Sequence, residues 1–488
     1  MAFVAVCVGL AACSAAVGPR VELPAPTVPS DTTTTFPIDV DLSEPVVRLT
    51  PGVDLSGIVE AAHEGTTFIL GPGLYRTDTI VPKAGMTFSG APDTVISGAF
   101  VLDGWRSEGD RWRLDGIAAS VRDHGRCIAD YEGCSLSQDL FMDDVMLWQV
   151  TDEADLRSGT WMWDGDSVLV ADDPTVRRVE LSVVDYAFVG SADDVTLESI
   201  VVEKFATPAQ EGAVQAQEPG EGDRGRRWTL RGVEVRFVHG AGVRAGDDTV
   251  IDRSYIHHNG QLGITGAGGT GLVITESEIA ENNVAGFSWE WEAGGVKITN
   301  STDVTLSGNH VHHNRGPGLW GDLDNVGMVY VDNISTDNTG PGIFHEISGA
   351  AVIDGNTVER NGSDKTGWLW GAGILIAGSW DVEVSNNIVR DNANAITGVQ
   401  QDRGEGPHGE RLLRNLFVHH NTIDVGHGHV GIAEDVGDDA VFTERHNRFE
   451  TNTYVGGTGR SFAWLDHWLD RTGWQYVGQD VDGVWVGR

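Results

Sequence analysis

Five carboxylates crowd three short phrases in the second half of the chain: Glu290 and Glu292 in GFSWEWE, Asp322 and Asp324 in GLWGDLD, and Glu346 in GIFHEIS. Aligned on their first glycines, with GILIAGS from Gly373 and AITGVQQ from Ala395, the phrases share an apolar second residue: Phe287, Leu319, Ile343, Ile374 or Ile396. If that column faces a core, strand alternation sends the others outward. Glu290, Asp322 and Glu346 then share one outer column, Glu292 and Asp324 a second, and Trp320 and Phe344 a third. Stacked carboxylates repel unless protonated, paired or bound to a cation, and such crowding raises at least one carboxyl pKa. Two carboxyls about 5–5.5 Å apart suit cleavage of a glycosidic bond with retention, one as nucleophile and one as general acid/base. Oxygen donors also suit Ca²⁺. Lys297, one of four lysines in 488 residues, follows closely.

Such columns need an element that repeats. A phrase Asn/Ser-x-x-x-x-Asn recurs, ending at Asn259, Asn282, Asn314, Asn338, Asn361 and Asn392. Three residues before each phrase stands Ile251, Ile274, Leu306, Tyr330, Ile353 or Val384, an apolar column. The unit is about 23 residues, lengthened twice by eight or nine, which describes a coil with insertions. Helical repeats would need a 3.6-residue period and fewer glycines. The asparagines read as a turn ladder, because Asn tolerates left-handed backbone.

The spacing resembles the right-handed single-stranded parallel β-helix of the pectate-lyase-like superfamily, an all-β fold. Within it, LWGDLD and GIFHEIS resemble the Leu-Trp-x-Asp and Phe-x-Glu-Ile/Val segments of the β-helix β-xylosidase family of retaining glycoside hydrolases. That resemblance implies Asp322 as nucleophile and Glu346 as acid/base, with no cofactor required. Glu290, Glu292, Lys297, Trp320, Asp324 and Phe344 are then expected to line the substrate site. Ser348-Gly349 stands where that family tends to have Asn-His, which bears on the sugar. A weaker resemblance joins Glu290-Trp-Glu292 and Lys297 to the Glu-x-Glu-x4-Lys of chondroitinase-B-like and alginate-lyase-like β-helix lyases. There the two glutamates would hold Ca²⁺ and the lysine would abstract a proton. Asp322 stands where those lyases place an arginine. A third alternative is a non-catalytic protein that binds glycans or surfaces.

The balance of 72 acidic against 33 basic residues, a formal charge of −39, argues against nucleic acid as a partner. It equally disfavours an anionic bilayer surface. The expected partner is a polysaccharide or oligosaccharide, with the chain a monomer. Residues 1–13 read as a lipoprotein-type signal peptide, with Cys13 lipidated as the one attachment to a membrane, and residues 14–45 as a Pro/Thr-rich tether. The protein is therefore expected to be secreted or held on the cell surface. Residues 46–100 would form an N-terminal cap and first coils, 101–186 an inserted β-subdomain, 187–440 the β-helix with its groove, and 441–488 a C-terminal cap. Cys127 and Cys134 could close a small disulfide loop outside the cytoplasm. The His-His-Asn phrases at His257, His312 and His419 read as exposed turns, His345 as a core histidine, and the loop of Trp368 and Trp370 as either a sugar-stacking wall or a buried segment.

Overall fold

A computed structural model describes Leu42 and residues 44–117, 122–220, 222–457 and 459–487. The signal segment and Cys13 lie outside the described residues. The chain winds into a parallel β-helix whose three long sheets have 13, 12 and 13 strands. Glycine and asparagine punctuate strands of two to seven residues, and each coil hydrogen-bonds to the next. The apolar column is in register: Ile251, Ile274, Leu306, Tyr330, Ile353 and Val384 pair in succession. All six are buried in one continuous core.

The asparagines form the expected ladder inside the coil. The Asn259 Nδ2 donates to Asn282 Oδ1, and Asn282, Asn314, Asn338 and Asn361 repeat this to the next coil at 2.9–3.0 Å. The opening residues build a second ladder, Asn309–Asn333–Asn356–Asn387–Asn421–Asn452, which ends on Asp480. Each buried amide thereby satisfies donor and acceptor, the condition for keeping a polar column inside an apolar core.

The helix Leu55–Ala61, capped by the Asp54 side chain, closes one end. An eight-stranded sheet with its own core is inserted between Ala99 and Ser182. It is anchored by buried Lys204, whose ammonium meets Glu180 at 2.7 Å. Parallel pairing continues beyond residue 440, through Arg448–Glu450 and Thr453–Val455 to Val484–Val486. The helix Arg471–Tyr476 covers that end with buried Trp474.

The 12-stranded sheet carries Asp322 and Glu346. Its central strands are β1 (Leu262–Ala267), β2 (Gly294–Thr299), β3 (Leu319–Asp322), β4 (Ile343–Glu346), β5 (Ala372–Ala377) and β6 (Asn394–Gln400). One expectation fails here. Val296 of β2, and not Phe287, pairs with Leu319, so GFSWEWE is not a strand of this stack. Residues 283–293 are the insertion, and Trp289–Glu292 within it is a single helical turn.

Candidate active site

On β3 and β4, Trp320 pairs with Phe344 and Gly321 with His345, so Asp322 and Glu346 lie side by side. Adjacent strands of a sheet are about 4.8 Å apart. Leu319, Ile343 and His345 point into the core, and Trp320, Asp322, Phe344 and Glu346 point outward, as strand alternation requires. The outer face is nevertheless sheltered. Trp320 and Phe344 stack with ring centroids 5.4 Å apart. Trp289 from residues 283–293 and Trp370 from residues 363–371 pack edge-on against them. Trp320 and Phe344 are therefore buried under the two insertions, not exposed platforms. Trp368 is 38% exposed beside Trp370.

β2 brings Lys297, paired with Trp320. Its ammonium sits 3.1 Å from Asp322 Oδ2, 3.2 Å from Glu292 Oε1 and 3.8 Å from the centre of the Trp320 ring. Burial pulls the Lys297 pKa down, but the nearby Glu292, Asp322 and Glu346 outweigh it and hold the amine above its ordinary value. Lys297 is thus a fixed cation. The other oxygen of Asp322, Oδ1, is buried and has no hydrogen-bond partner among the described residues.

Glu346 is also buried, and Trp320 Nε1 donates to its Oε2 at 3.2 Å. Arg403 pairs with its Oε1. Burial, then the proximity of Asp322, raises the carboxyl pKa above its ordinary value, against the opposing pull of Arg403 and Lys297. Burial and a like-charged neighbour are the two causes by which a protein weakens the acidity of a carboxyl.

The remaining expected residues are placed differently. Glu290 leaves the shared column and pairs at the surface with Lys365 at 2.8 Å. Glu292 is held by Lys297 and by the Gln210 amide. The two glutamates, successive outward positions on a strand in the sequence reading, diverge because they lie on a helical turn. Asp324 is buried against Arg411, with contacts of 3.2 and 2.6 Å, and serves as an internal ion pair. Cys127 and Cys134 form a disulfide, and Cys127 also bridges to Phe287. The inserted sheet thereby braces residues 283–293. His345 is a core residue whose pKa burial depresses to about 3, so it is neutral.

Sequence reasoning missed Arg403 and Arg411. They lie on the segment between β6 and the strand Phe417–His419, the third lengthened coil. Its signal was present: Asn387 and Asn421 are 34 residues apart, against 23 or 24 in an unexpanded coil, and the extra residues carry arginines.

A model of the right handed beta helix region matches residues 221–389. No curated protein matches the chain. Among solved structures, XylC in complex with xylose is 15% identical, covers 89% of this chain and 83% of its own, and superposes with a TM-score of 0.62. The A-module of the Azotobacter vinelandii mannuronan C-5 epimerase AlgE6 is 16% identical over 89% of this chain and 94% of that one, with a TM-score of 0.47. The region match and the likeness to XylC establish the fold as a right-handed parallel β-helix.

Proposed function

We propose that the protein is a retaining glycoside hydrolase acting on a polysaccharide or oligosaccharide. The observation that carries this reading is the Asp322–Glu346 pair: neighbours in register and sheltered from water, one clamped by Lys297 and the other by Arg403 and the Trp320 indole. Strands about 4.8 Å apart bring two carboxyls near the roughly 5–5.5 Å separation of a retaining pair. Asp322, with Lys297 on Oδ2 and no partner on Oδ1 among the described residues, attacks the anomeric carbon. Glu346, its acidity weakened by burial, protonates the departing glycosidic oxygen. In the second step Glu346 takes a proton from water, which releases the glycosyl group from Asp322. Lys297, Glu292 and the Trp320–Phe344 stack position the pair. XylC was solved with xylose and shares the fold, which makes xylosides the first substrates to try.

Elimination assisted by calcium draws less support. Lys297 is clamped between Glu292 and Asp322, which favours its protonated form over a free base, and Glu290 and Glu292 face different partners. We extend the proposal to a monomeric surface lipoprotein anchored at Cys13, which metabolic lipid labelling of wild type and Cys13→Ser would test.

The deciding experiment is a screen of glycans with product mass and anomeric NMR, followed by Asp322→Asn and Glu346→Gln. Products that gain one water, a first product of retained configuration and loss of turnover in both folded variants are expected. An unsaturated uronate product, inversion, or near-native activity of either variant would overturn the reading.

A further inference from the structure

The three His-His-Asn phrases are used by the fold in one way. In each, the first histidine bonds through Nε2 to a glutamate from the preceding coil: His257 to Glu234 at 3.2 Å, His312 to Glu278 at 3.1 Å, His419 to Glu383 at 3.0 Å. Its Nδ1 meets Nδ1 of the second histidine at 2.7, 2.9 and 2.7 Å. Its ring lies against the side chain two residues earlier, which pairs with that glutamate across the sheet: Tyr255, His310 and Phe417 respectively. The three sites do not stack on one another. Ala280 separates His257 from His312, and His419 belongs to another sheet.

The middle copy differs in one respect that changes its chemistry. Where the others have a phenol or a phenyl ring, it has the imidazole of His310. We propose that Glu278, His310 and His312 form a site for a divalent transition-metal ion of the zinc type, on a face of the helix away from the carboxylate pair.

His310 and His312 occupy alternate positions of one strand and so share a face. Glu278 stands opposite His310 on the neighbouring coil. One donor atom from each residue lies within 4.8 Å of the other two. His312 Nε2 and Glu278 Oε1 are 3.1 Å apart, and two ligands bound to one ion at about 2.0–2.1 Å stand roughly 2.9–3.4 Å apart. Two imidazoles and one carboxylate favour zinc, nickel or copper over magnesium or calcium. Three protein ligands leave a coordination position for water. The Glu278 side chain is 46% exposed, so an ion reaches the site from solvent. With Nε2 on the metal, His312 Nδ1–H donates to His313 Nδ1, an outer contact that fixes the tautomer. The ion would clip the strand Glu278–Ala280 to His310–His312.

The other two copies supply the controls. Tag-free full-length protein is titrated with Zn²⁺ by calorimetry, and bound zinc is counted by mass spectrometry after gel filtration. His310→Phe reproduces the arrangement at Phe417, and Glu278→Gln serves as a second variant with smaller change in shape. Each should hold one zinc fewer than wild type or bind at least tenfold more weakly, with an unchanged melting profile in metal-free buffer. His257→Phe and His419→Phe should bind as wild type. Absence of zinc from the wild type, undiminished binding by both His310→Phe and Glu278→Gln, or equal loss in the control variants would overturn the assignment.

Discussion

Replacing Lys297 by methionine removes the ammonium between Glu292 and Asp322 while keeping most of the side-chain volume. The Nζ contacts are 3.2 and 3.1 Å, and the side chains of Lys297, Glu292 and Asp322 are 6%, 14% and 9% exposed. At an effective dielectric constant near 20, each contact is worth about 5 kcal/mol of gross Coulomb attraction. Desolvation consumes much of it, and removing one partner of a buried pair costs roughly 3–5 kcal/mol because the other charge stays behind. Here two carboxylates remain, with Glu346 beside Asp322 already reluctant to ionise. Without the ammonium, repulsion among these carboxylates opposes the placement of Asp322 for attack. Lys297→Met should therefore lower stability to urea by about 3–5 kcal/mol and kcat/KM by more than 100-fold. Asp322→Asn in the same chain removes the stranded charge, so the double variant should recover stability relative to Lys297→Met. A double-mutant cycle followed by urea unfolding measures the coupling. Should Lys297→Met unfold at the wild-type urea concentration, or Asp322→Asn cost the same in both backgrounds, the electrostatic account of the site is wrong.

Three further outcomes follow from single features. Glu346 has a raised pKa, so its proton stabilises the fold fully below the ordinary value of 4.5, and that contribution is lost as pH rises through the folded value; urea midpoints of Glu346→Gln across that range should lack this step. Asn338→Ala deletes an amide that donates to Val311 O and Asn361 Oδ1 and accepts from Asn314, so it should cost roughly 3 kcal/mol in urea unfolding. Reduction of Cys127–Cys134, seven positions apart, should loosen its segment by about 2.5 kcal/mol and speed limited proteolysis near residues 122–134, with a fall in turnover because Phe287 loses its brace.

The stacking was legible because it is imposed by chemistry that repeats: an apolar residue in each strand and an amide in each turn. Asp322 and Glu346 were legible for the same reason, lying in two unexpanded coils whose register is set on both sides by Leu319 and Ile343. Arg403 and Arg411 were not. An insertion obeys no period, and the pairing of an arginine with Glu346 or Asp324 depends on how that insertion folds back. The burial of Trp320 and Phe344 was hidden likewise, since strand alternation separates the two faces of a sheet but does not show which outer positions another segment covers.

Glu290 was misplaced for a reason that the ladder itself explains. A glycine normally follows the ladder asparagine by four residues, as Gly318 follows Asn314 and Gly342 follows Asn338, and Gly286 follows Asn282 by the same four. Yet the fold needs that glycine against the amide of the next ladder rung. A Cβ on Gly295, Gly318, Gly342 or Gly373 would lie 2.6–3.0 Å from Nδ2 of Asn314, Asn338, Asn361 or Asn392, at or inside the closest approach a carbon makes. Gly286 has no such neighbour; its Cβ would meet the ring of Tyr131, from the segment between two strands of the inserted sheet. The constraint therefore acts forward along the chain, from glycine to the next rung. Counted in that direction the ambiguity vanishes. Gly263, Gly295, Gly342 and Gly373 each stand 14 residues before the next opening Ser277, Asn309, Asn356 or Asn387, and Gly318 stands 15 before Asn333, whereas Gly286 stands 23 before Asn309. Insertions at this corner fall between the asparagine and the glycine, as residues 363–371 also do. The strand that leaves the glycine is then held in register, which is why Lys297, and not Glu290, reaches Asp322.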